Sequence, residues 1–455
     1  MSSNDFAVWK NWAGTQKCSP ASVHQPVTEA DIAEIIHSAA TRGTTVRPLG
    51  AGHSFTPVAT TEGSRVQLDN MAGVVGLDQE NNTVTLRAGT RLRDVPGLLR
   101  PLGLALPNQG DVDPQSVAGA VSTGTHGTGI NFTGFAGMLR GFRLIDASGT
   151  AIDCHADADG IGAEIFRLGR LSLGMFGVLT ELTLDVVPAF HLAADEHAED
   201  FEELRANFPE RVRATDHLEF YWFPGTDKAL VKNNTRIDSA EVNQWMESPA
   251  ARGYHRPSKV EKMRGAFADE VINNAALWGM CELAKAKPSL VPTLNNFAAR
   301  TVAERKYVDT AHKVFVSPRR VRFAETEYSV PLDDAPEVIS EIRDTIAKHN
   351  MEVSFPLEVR ATAADDVPLS TSYGRQSCYI AVHRYHREPY RDYFGLIEPI
   401  FKAAQGRPHW GKLHTLTRED LQQRYPLFDE VAALREQVDP AGLFLNDHLR
   451  AMFVG

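Results

Sequence analysis

Residues 116–129 read Ser-Val-Ala-Gly-Ala-Val-Ser-Thr-Gly-Thr-His-Gly-Thr-Gly, a segment dominated by glycines and small hydroxyl residues. Such residues carry N–H and O–H donors that reach an anion without obstruction by longer side chains. The segment therefore suits a pyrophosphate group. It has neither the lysine of a Walker loop nor the spacing of a Rossmann fingerprint, which argues against a nucleotide hydrolase and against an NAD site of that type.

Two further glycine-rich segments flank this one. Residues 50–54, Gly-Ala-Gly-His-Ser, follow a predicted strand at 45–48 directly, and glycines there let the backbone turn tightly and approach a ligand. Taken alone, an ordinary loop with a polar histidine is an equally good interpretation. Residues 171–182 place two glycines before an alternating strand, which alone indicates a core hairpin.

The length of 455 residues exceeds one hydrophobic core and predicts two domains. Residues 1–190 show mixed α/β patterning, with a capping box at Thr28 and Asp31 before one helix and a second helix predicted from Thr90. Further on, residues 198–207 and the tail from Thr417 are predicted to be helical. Residues 313–331 and 352–385 alternate like strands.

Composition excludes several classes of protein. A net charge of −11 and a pI near 5.8 argue against a nucleic-acid-binding protein, which needs a basic face. No apolar run is long enough for a transmembrane segment, and no secretory signal is visible. The four cysteines are scattered without metal-type pairing, so we predict no metal site and a reducing, cytoplasmic location.

A carboxylate and a guanidinium share one face of a predicted strand at residues 355–362. Glu358 and Arg360 alternate with apolar neighbours and therefore project to the same side. An isolated exposed pair would be a structural ion pair. Here His383 on the next strand, with His409 and Lys412 beyond it, could converge on the same place.

In this order and spacing, the three glycine segments resemble the PCMH-type FAD-binding domain of the vanillyl-alcohol oxidase family. The closest similarity is to its aldonolactone oxidase and alditol oxidase group. Further group motifs are present at residues 322–328, 358–360, 409–412 and 439–444. The resemblance implies a two-domain α/β (α+β) flavoprotein. It comprises an FAD-binding domain at 1–190, a substrate-binding cap domain with an antiparallel sheet and helices at 191–415, and a helical segment at 416–455 that returns to the first domain.

The resemblance also implies that FAD is bound covalently through His53. The diphosphate would lie on the serine- and glycine-rich segment, the backbone of Val178 would meet the cofactor, and Gly110 would lie where oxygen reaches the flavin. The full set of implied cofactor-binding residues is Gly50, Ala51, Gly52, His53, Ser54, Gly110, Ser116, Gly119, Ser122, Thr123, Gly124, Thr125, Gly127, Val178, His409 and Lys412.

For catalysis, the resemblance implies a pocket lined by Glu358, Arg360, His383 and Lys412. The expected reaction is oxidation of a hydroxyl group in a sugar-derived lactone such as L-gulono-1,4-lactone, with oxygen or another redox acceptor taking the electrons. The alternative is an alditol oxidase acting on polyols such as xylitol or sorbitol. Asp111 stands at the position where the resembling alditol oxidases have a serine. This difference weakens the alditol oxidase alternative. Whether Glu358, His383 or a lysine bound to the substrate takes the proton stays open. A flavin-containing electron carrier, or a scaffold that keeps the fold without chemistry, is disfavoured because the set of polar pocket residues is intact.

Overall fold

The computed structural model describes residues 8–258, 261, 274–301, 304–317 and 319–454. Helices occur in both halves of the chain: α1 (Glu29–Arg42), α2 (Val95–Leu99), α3 (Val117–Thr123), α4 (Ile161–Gly169), α5 (Phe201–Ala206), α6 (Phe208–Arg213), α7 (Val242–Glu247), α8 (Asn274–Ala286), α9 (Val291–Thr301), α10 (Ala311–Phe315), α11 (Ala335–Lys348), α12 (Arg391–Ala403), α13 (Arg418–Arg424), α14 (Phe428–Val438) and α15 (Asp447–Phe453).

The strands belong to several sheets and are, in chain order: β1 (Trp9–Lys10), β2 (Lys17–Cys18), β3 (Ser22–His24), β4 (Val46–Leu49), β5 (Ser64–Gln67), β6 (Val74–Asp78), β7 (Thr83–Arg87), β8 (Leu104–Ala105), β9 (Leu139–Ile145), β10 (Ala151–His155), β11 (Val178–Asp185), β12 (Val187–Pro188), β13 (Phe190–Asp200), β14 (His217–Trp222), β15 (Lys228–Asp238), β16 (Arg305–Thr310), β17 (Phe323–Pro331), β18 (Leu357–Thr362), β19 (Ser377–Tyr385) and β20 (Arg407–Pro408). Short 3₁₀ turns join some of them.

The first half combines two sheets. A parallel sheet of order β3-β5-β4 carries the turn at residues 50–54 at the end of β4. Helix α1 begins with the predicted capping box, because the Thr28 hydroxyl accepts the Asp31 N–H while the Asp31 carboxylate accepts the Thr28 N–H. An antiparallel sheet of order β10-β9-β11-β7-β6 lies beside it and leads from residues 171–177 into β11.

The second half is built on an antiparallel sheet. Among the described residues its strand order is β16-β13-β15-β14-β18-β19-β17-β20. Apolar side chains on one face, such as Val359 and Ile380, join the core that contains Ile342 of α11 and Ile397 of α12. The alternate residues of the same strands, among them Glu358, project to the other face. The expected antiparallel sheet with helices is confirmed, and it presents its polar face to the first half.

The C-terminal segment contacts the first half. The Val46 N–H donates to the Leu443 carbonyl at 2.9 Å, and the Asn446 side chain donates to the carbonyls of Pro57 and Thr60 at 2.8 and 2.9 Å. These contacts join the C-terminal segment to β4 and to the turn that follows it. The domain limits at residues 190 and 415 stay a prediction.

Two helix predictions need correction. Residues 198–200 belong to the end of β13, and the helix covers Phe201–Ala206 only, because Asp200 caps it with its side chain. The helix predicted from Thr90 starts at Val95, since Arg91 pairs with Ser116 in an isolated bridge that holds residues 90–94 in a turn. No helix in the described part of the chain combines the length and apolarity that crossing a membrane requires.

Candidate functional site

A cleft opens in the first half, and the three glycine segments together supply more than half of the residues that line it. Its lining includes the predicted residues Gly50, Ala51, Gly52, His53, Ser54, Ser116, Gly119, Ser122 and Thr123, together with Gly174 and Gly177.

Glycines let the backbone segments that line the cleft lie close together, because no side chain stands between them. A Cβ added at Gly50 would lie 2.8 Å from the Ser116 Oγ, and one at Gly119 would lie 3.1 Å from the same atom. Gly52 has φ of +70°, which side-chain-bearing residues rarely adopt. The two walls are thus lined by N–H and hydroxyl groups, the donor set that a diphosphate requires.

Other predicted residues lie close by but not on this wall. A Cβ at Gly124 would meet Leu171, and one at Gly127 would lie 2.3 Å from the Gln109 carbonyl, so both glycines permit close packing within the protein. The Val178 side chain is fully buried in the core, while its neighbours Gly177 and Leu179 line the cleft. A contact through the backbone of Val178 stays a prediction.

His53 lies at the junction of this cleft with a second cavity of about 700 Å³ and lines both. Its imidazole stacks on the Trp12 indole, and burial, assisted by the charges of Lys412 and Arg91, lowers the pKa of His53 to about 4. Because Ser54, Gln115 and Thr123 also line both spaces, the two form one elongated channel. A dinucleotide with a ring system at one end fits such a channel.

The second cavity contains the polar groups of the facing sheet. Five residues predicted from the sequence to belong to the site line this cavity, and they come from both halves of the chain: Gly110, Thr125, Arg360, His409 and Lys412. A Cβ at Gly110 would lie 2.9 Å from the His126 carbonyl. This loop therefore closes tightly on the cavity wall.

Lys412 lies between two buried carboxylates of β17. Its Nζ is 2.5 Å from Glu325 Oε2 and 3.8 Å from Glu327 Oε2. Burial alone would lower the pKa of Lys412, but the two carboxylates outweigh it and raise that pKa. A permanently charged ammonium group therefore faces the cavity.

Glu327 also approaches two histidines, and the three residues are close enough to be considered as metal ligands. His126 donates through Nδ1 to the Gly127 carbonyl, which leaves Nε2 facing Glu327 at 3.3 Å. His409 accepts the Gly411 N–H at Nδ1, so the proton of its neutral ring sits on Nε2. Only His126 and Glu327 then have a lone pair available for a metal ion. Two ligands are fewer than the three or four of an ordinary metal site.

Glu358 and Arg360 lie side by side on β18, as the alternation predicts. The Arg360 guanidinium contacts Glu358 directly, and it also reaches Glu219 Oε2 at 3.0 Å and Asp111 Oδ1 at 3.1 Å. Burial alone would lower the pKa of Arg360, but these three carboxylates raise it well above its usual value. The pair therefore belongs to a buried network of ion pairs. It is not the isolated, exposed ion pair that was the alternative from the sequence.

The predicted residues Glu358 and His383 lie behind the cavity wall. Glu358 accepts a hydrogen bond of 2.9 Å from the Tyr221 hydroxyl, and its Oε2 is 3.3 Å from Arg319. His383 donates through Nδ1 to the Pro356 carbonyl, which leaves Nε2 facing the carboxylates of Glu325 and Glu358. That nitrogen is 3.5 Å from Glu325 and 4.0 Å from Glu358.

Several residues of this site were not predicted from the sequence. Glu325 and Glu327 carry the same every-second-residue signal that identified Glu358, so the alternation of residues 323–331 could have found them. His126 lies inside the quoted glycine segment. Arg319 stands in an irregular segment before β17, where no periodicity marks it.

The channel and the fold together define an FAD-binding oxidoreductase of two domains, and comparison with known proteins agrees. Residues 20–155 match the family model described as "FAD binding domain", and residues 182–452 match the one described as "D-arabinono-1,4-lactone oxidase". The chain belongs to the D-arabinono-1,4-lactone oxidase family. The predicted FAD cofactor and the oxidoreductase class are thereby confirmed.

Curated relatives cover nearly the whole chain. An L-gulono-1,4-lactone dehydrogenase of Mycobacterium tuberculosis is 37% identical over 97% of this chain and 98% of the relative. An L-gulonolactone oxidase of Mus musculus is 30% identical over 98% of both chains. An alditol oxidase of a Streptomyces species is 28% identical over 98% of this chain and 99% of the relative. The solved cholesterol oxidase of B. sterolicum, 17% identical, superposes with a TM-score of 0.80 over 98% of this chain and 96% of its own, which supports the fold.

Proposed function

We propose that this enzyme oxidises a secondary hydroxyl group of an aldono-1,4-lactone, with L-gulono-1,4-lactone as the first substrate to test. The observation that carries the proposal is that Arg360 lines the second cavity while it contacts Glu358, which lies directly behind the cavity wall. The names of the relatives at 37% and 30% identity support a lactone substrate.

FAD would be held by the two glycine walls. Gly50 and Gly119 carry no Cβ that would press against the Ser116 Oγ. The hydroxyls of Ser116 and Ser122, which line the cleft, would supply donors to the diphosphate. His53, at the junction of the two cavities, is the proposed point of covalent attachment. When bound, FAD accepts a hydride from the carbon that bears the substrate hydroxyl.

The residues of the second cavity would bind and orient the substrate. Glu358 is the proposed acceptor of the hydrogen bond from the reacting hydroxyl, and Arg360 holds that carboxylate in place. His383 Nε2, 4.0 Å from Glu358, is the proposed group that takes the proton onward. Lys412 supplies a fixed positive charge near developing negative charge.

The electron acceptor is part of the proposal. The curated relatives include enzymes named dehydrogenases and others named oxidases. Gly110 lines the second cavity with backbone only, and it is the position where the resemblance implies that oxygen reaches the flavin. We therefore propose that oxygen is an acceptor and that hydrogen peroxide forms.

A cytoplasmic location completes the proposal. The four cysteines, Cys18, Cys154, Cys281 and Cys378, are all buried and free. Proteins of reducing compartments ordinarily keep their cysteines in this state.

Anaerobic addition of substrates to the flavin-loaded enzyme tests the proposed function. The panel contains L-gulono-1,4-lactone, D-arabinono-1,4-lactone, xylitol and sorbitol, and the loss of flavin absorbance is followed by stopped flow. We expect the lactones to bleach the flavin at lower concentrations and faster than the polyols. Bleaching by the polyols with no response to either lactone would reject the lactone proposal in favour of an alditol oxidase.

A further inference from the structure

Arg319 separates Glu358 from the second cavity. The Arg319 side chain lines the cavity, whereas Glu358 does not, and the two side chains are 3.3 Å apart at their nearest atoms. A substrate that enters this space would therefore meet Arg319 before it reaches the carboxylate. No sequence motif marked this arginine.

The polar contacts of the Arg319 guanidinium all use a single nitrogen, Nη2. Nη2 is bonded to Asp111 Oδ2 and lies near Glu358 Oε2. Within the described part of the chain, Nε and Nη1 have no hydrogen-bond partner, and the side chain is 23% exposed. Arg360 differs, because its Nε and Nη2 already contact three carboxylates. Arg319 therefore has more donor nitrogens without a partner than Arg360.

Asp111 holds Arg319 in this position. It lies on the loop of the first half that also carries Gly110, and its carboxylate contacts both Arg319 and Arg360. Burial alone would raise the pKa of Asp111, but the two arginines keep it well below its usual value. Asp111 thus stays charged and links the first half to the polar face of the second.

Resting on the proposed function, we propose that Arg319, anchored by Asp111, donates a hydrogen bond to the carbonyl oxygen of the lactone and selects lactones over polyols. A carbonyl oxygen only accepts hydrogen bonds, while each hydroxyl of a polyol both donates and accepts. When the substrate binds, Arg319 keeps Asp111 and exchanges its contact with Glu358 for the lactone carbonyl. Glu358 is then free to accept the hydrogen bond of the reacting hydroxyl.

The charges around this position explain why one arginine can set the preference. The network contains three carboxylates and three cations: Asp111, Glu219, Glu358, Arg319, Arg360 and Lys232. Removal of the Arg319 charge leaves an excess of carboxylates. Such a site favours hydroxyl donors and disfavours a carbonyl acceptor.

Arg319→Gln, Arg319→Lys and Asp111→Asn test the inference in the flavin-loaded enzyme. A hydrogen bond from a charged donor contributes about 1.5–3 kcal/mol, so we expect Arg319→Gln to lower kcat/KM for the lactone roughly 10–100-fold, mainly through KM. Arg319→Lys should lose less, and the ratio of lactone to polyol turnover should fall clearly in Arg319→Gln. Arg140→Gln, which removes an exposed arginine paired with Asp185 at 2.5 Å, is the matched control and should behave like wild type.

A binding measurement separates this inference from the proposed function. γ-Butyrolactone has the lactone carbonyl but no hydroxyl to oxidise, and tetrahydrofuran lacks the carbonyl as well. Ligand-observed NMR should show that Arg319→Gln weakens binding of γ-butyrolactone and leaves binding of tetrahydrofuran unchanged. Equal affinity of wild type and Arg319→Gln for γ-butyrolactone, with an unchanged ratio of lactone to polyol turnover, would overturn the role of Arg319. Failure of wild type to oxidise any lactone would reject the proposed function instead.

Discussion

The imidazole of His53 stacks on the indole of Trp12, with ring centroids 5.4 Å apart and planes 17° from parallel. This contact fixes the histidine where the cofactor cleft meets the second cavity. With its pKa lowered to about 4, mainly by burial, the ring is neutral at neutral pH. A neutral imidazole has one nitrogen with a free lone pair, which is what bond formation to a flavin methyl group requires.

The first prediction follows for the flavin linkage. Wild-type protein precipitated with acid should stay yellow, and its mass should exceed the chain mass by one FAD. His53→Ala should release its flavin into the supernatant, while His37→Ala, a change at an exposed histidine bonded to the Ser148 carbonyl, should keep it. Release of all flavin from wild type would reject the covalent bond and leave FAD binding intact.

The second prediction concerns the pair on β18. Arg360→Lys keeps the charge but loses the planar fork that reaches Glu219, Glu358 and Asp111 together. We expect kcat to fall about 100-fold or more, as for loss of an oriented charged donor, with little loss of bound flavin. Glu358→Gln should show a similar fall. Near-wild-type turnover in both variants would return the pair to a purely structural role.

The third prediction concerns pH and stability at Glu325. Burial alone would raise the pKa of Glu325, but Lys412 and the contact with His383 lower it from 4.5 to about 2. A depressed carboxyl pKa adds stability above the unfolded value and loses it as the pH falls through the folded value. The free energy of unfolding of wild type minus that of Glu325→Gln should therefore be on the order of 2–3 kcal/mol near pH 6 and shrink between pH 4.5 and 2.

Chemical denaturation across that pH range provides the measurement. Glu80→Gln, at an exposed turn, is a suitable control and should give a small difference at every pH. A wild-type advantage that stays constant down to pH 3 would contradict the charged state of Glu325.

The fourth prediction concerns Gly110. An added methyl would lie 2.9 Å from the His126 carbonyl and 3.6 Å from the Thr125 methyl, so this loop would have to shift at the cavity wall. We expect Gly110→Ala to slow reoxidation of the reduced enzyme by oxygen about tenfold, a barrier increase of about 1.4 kcal/mol. Gly97→Ala is the control, because its Cβ meets no atom within 4 Å.

Stopped-flow reoxidation after anaerobic reduction distinguishes the outcomes. The reduction step and the flavin spectrum of Gly110→Ala should stay close to wild type, which separates a blocked path from a displaced loop. Equal reoxidation rates in wild type and Gly110→Ala would show that Gly110 does not control access of oxygen.

The sequence predicted those parts of the fold that depend on residues close together in the chain. The capping box at Thr28 and the alternation at Glu358 and Arg360 each depend on a few neighbouring residues, and the structure confirms them. The helix predicted from Thr90 failed at its start, because the pairing of Arg91 with Ser116 is a contact across the chain. Apolar spacing alone does not reveal such a contact.

The candidate site likewise combines residues that local patterns predict with contacts between residues far apart in the sequence. Alternation placed Glu358 on the polar face of its strand, but it did not reveal that Arg319 covers it. Asp111 and Arg319 are 208 residues apart in sequence and meet only through the packing of the two halves. Interactions of this kind depend on the tertiary structure, so the ion network could not be predicted from residue patterns.

Single-turnover oxidation with product analysis tests the central claim most directly. Flavin-loaded enzyme is mixed anaerobically with one equivalent of L-gulono-1,4-lactone, and flavin absorbance and the mass of the sugar product are measured together. The account predicts that the flavin is reduced as the lactone loses one pair of hydrogen atoms, with the lactone ring retained. A flavin that stays oxidised with L-gulono-1,4-lactone and D-arabinono-1,4-lactone, but is reduced by xylitol, would contradict it.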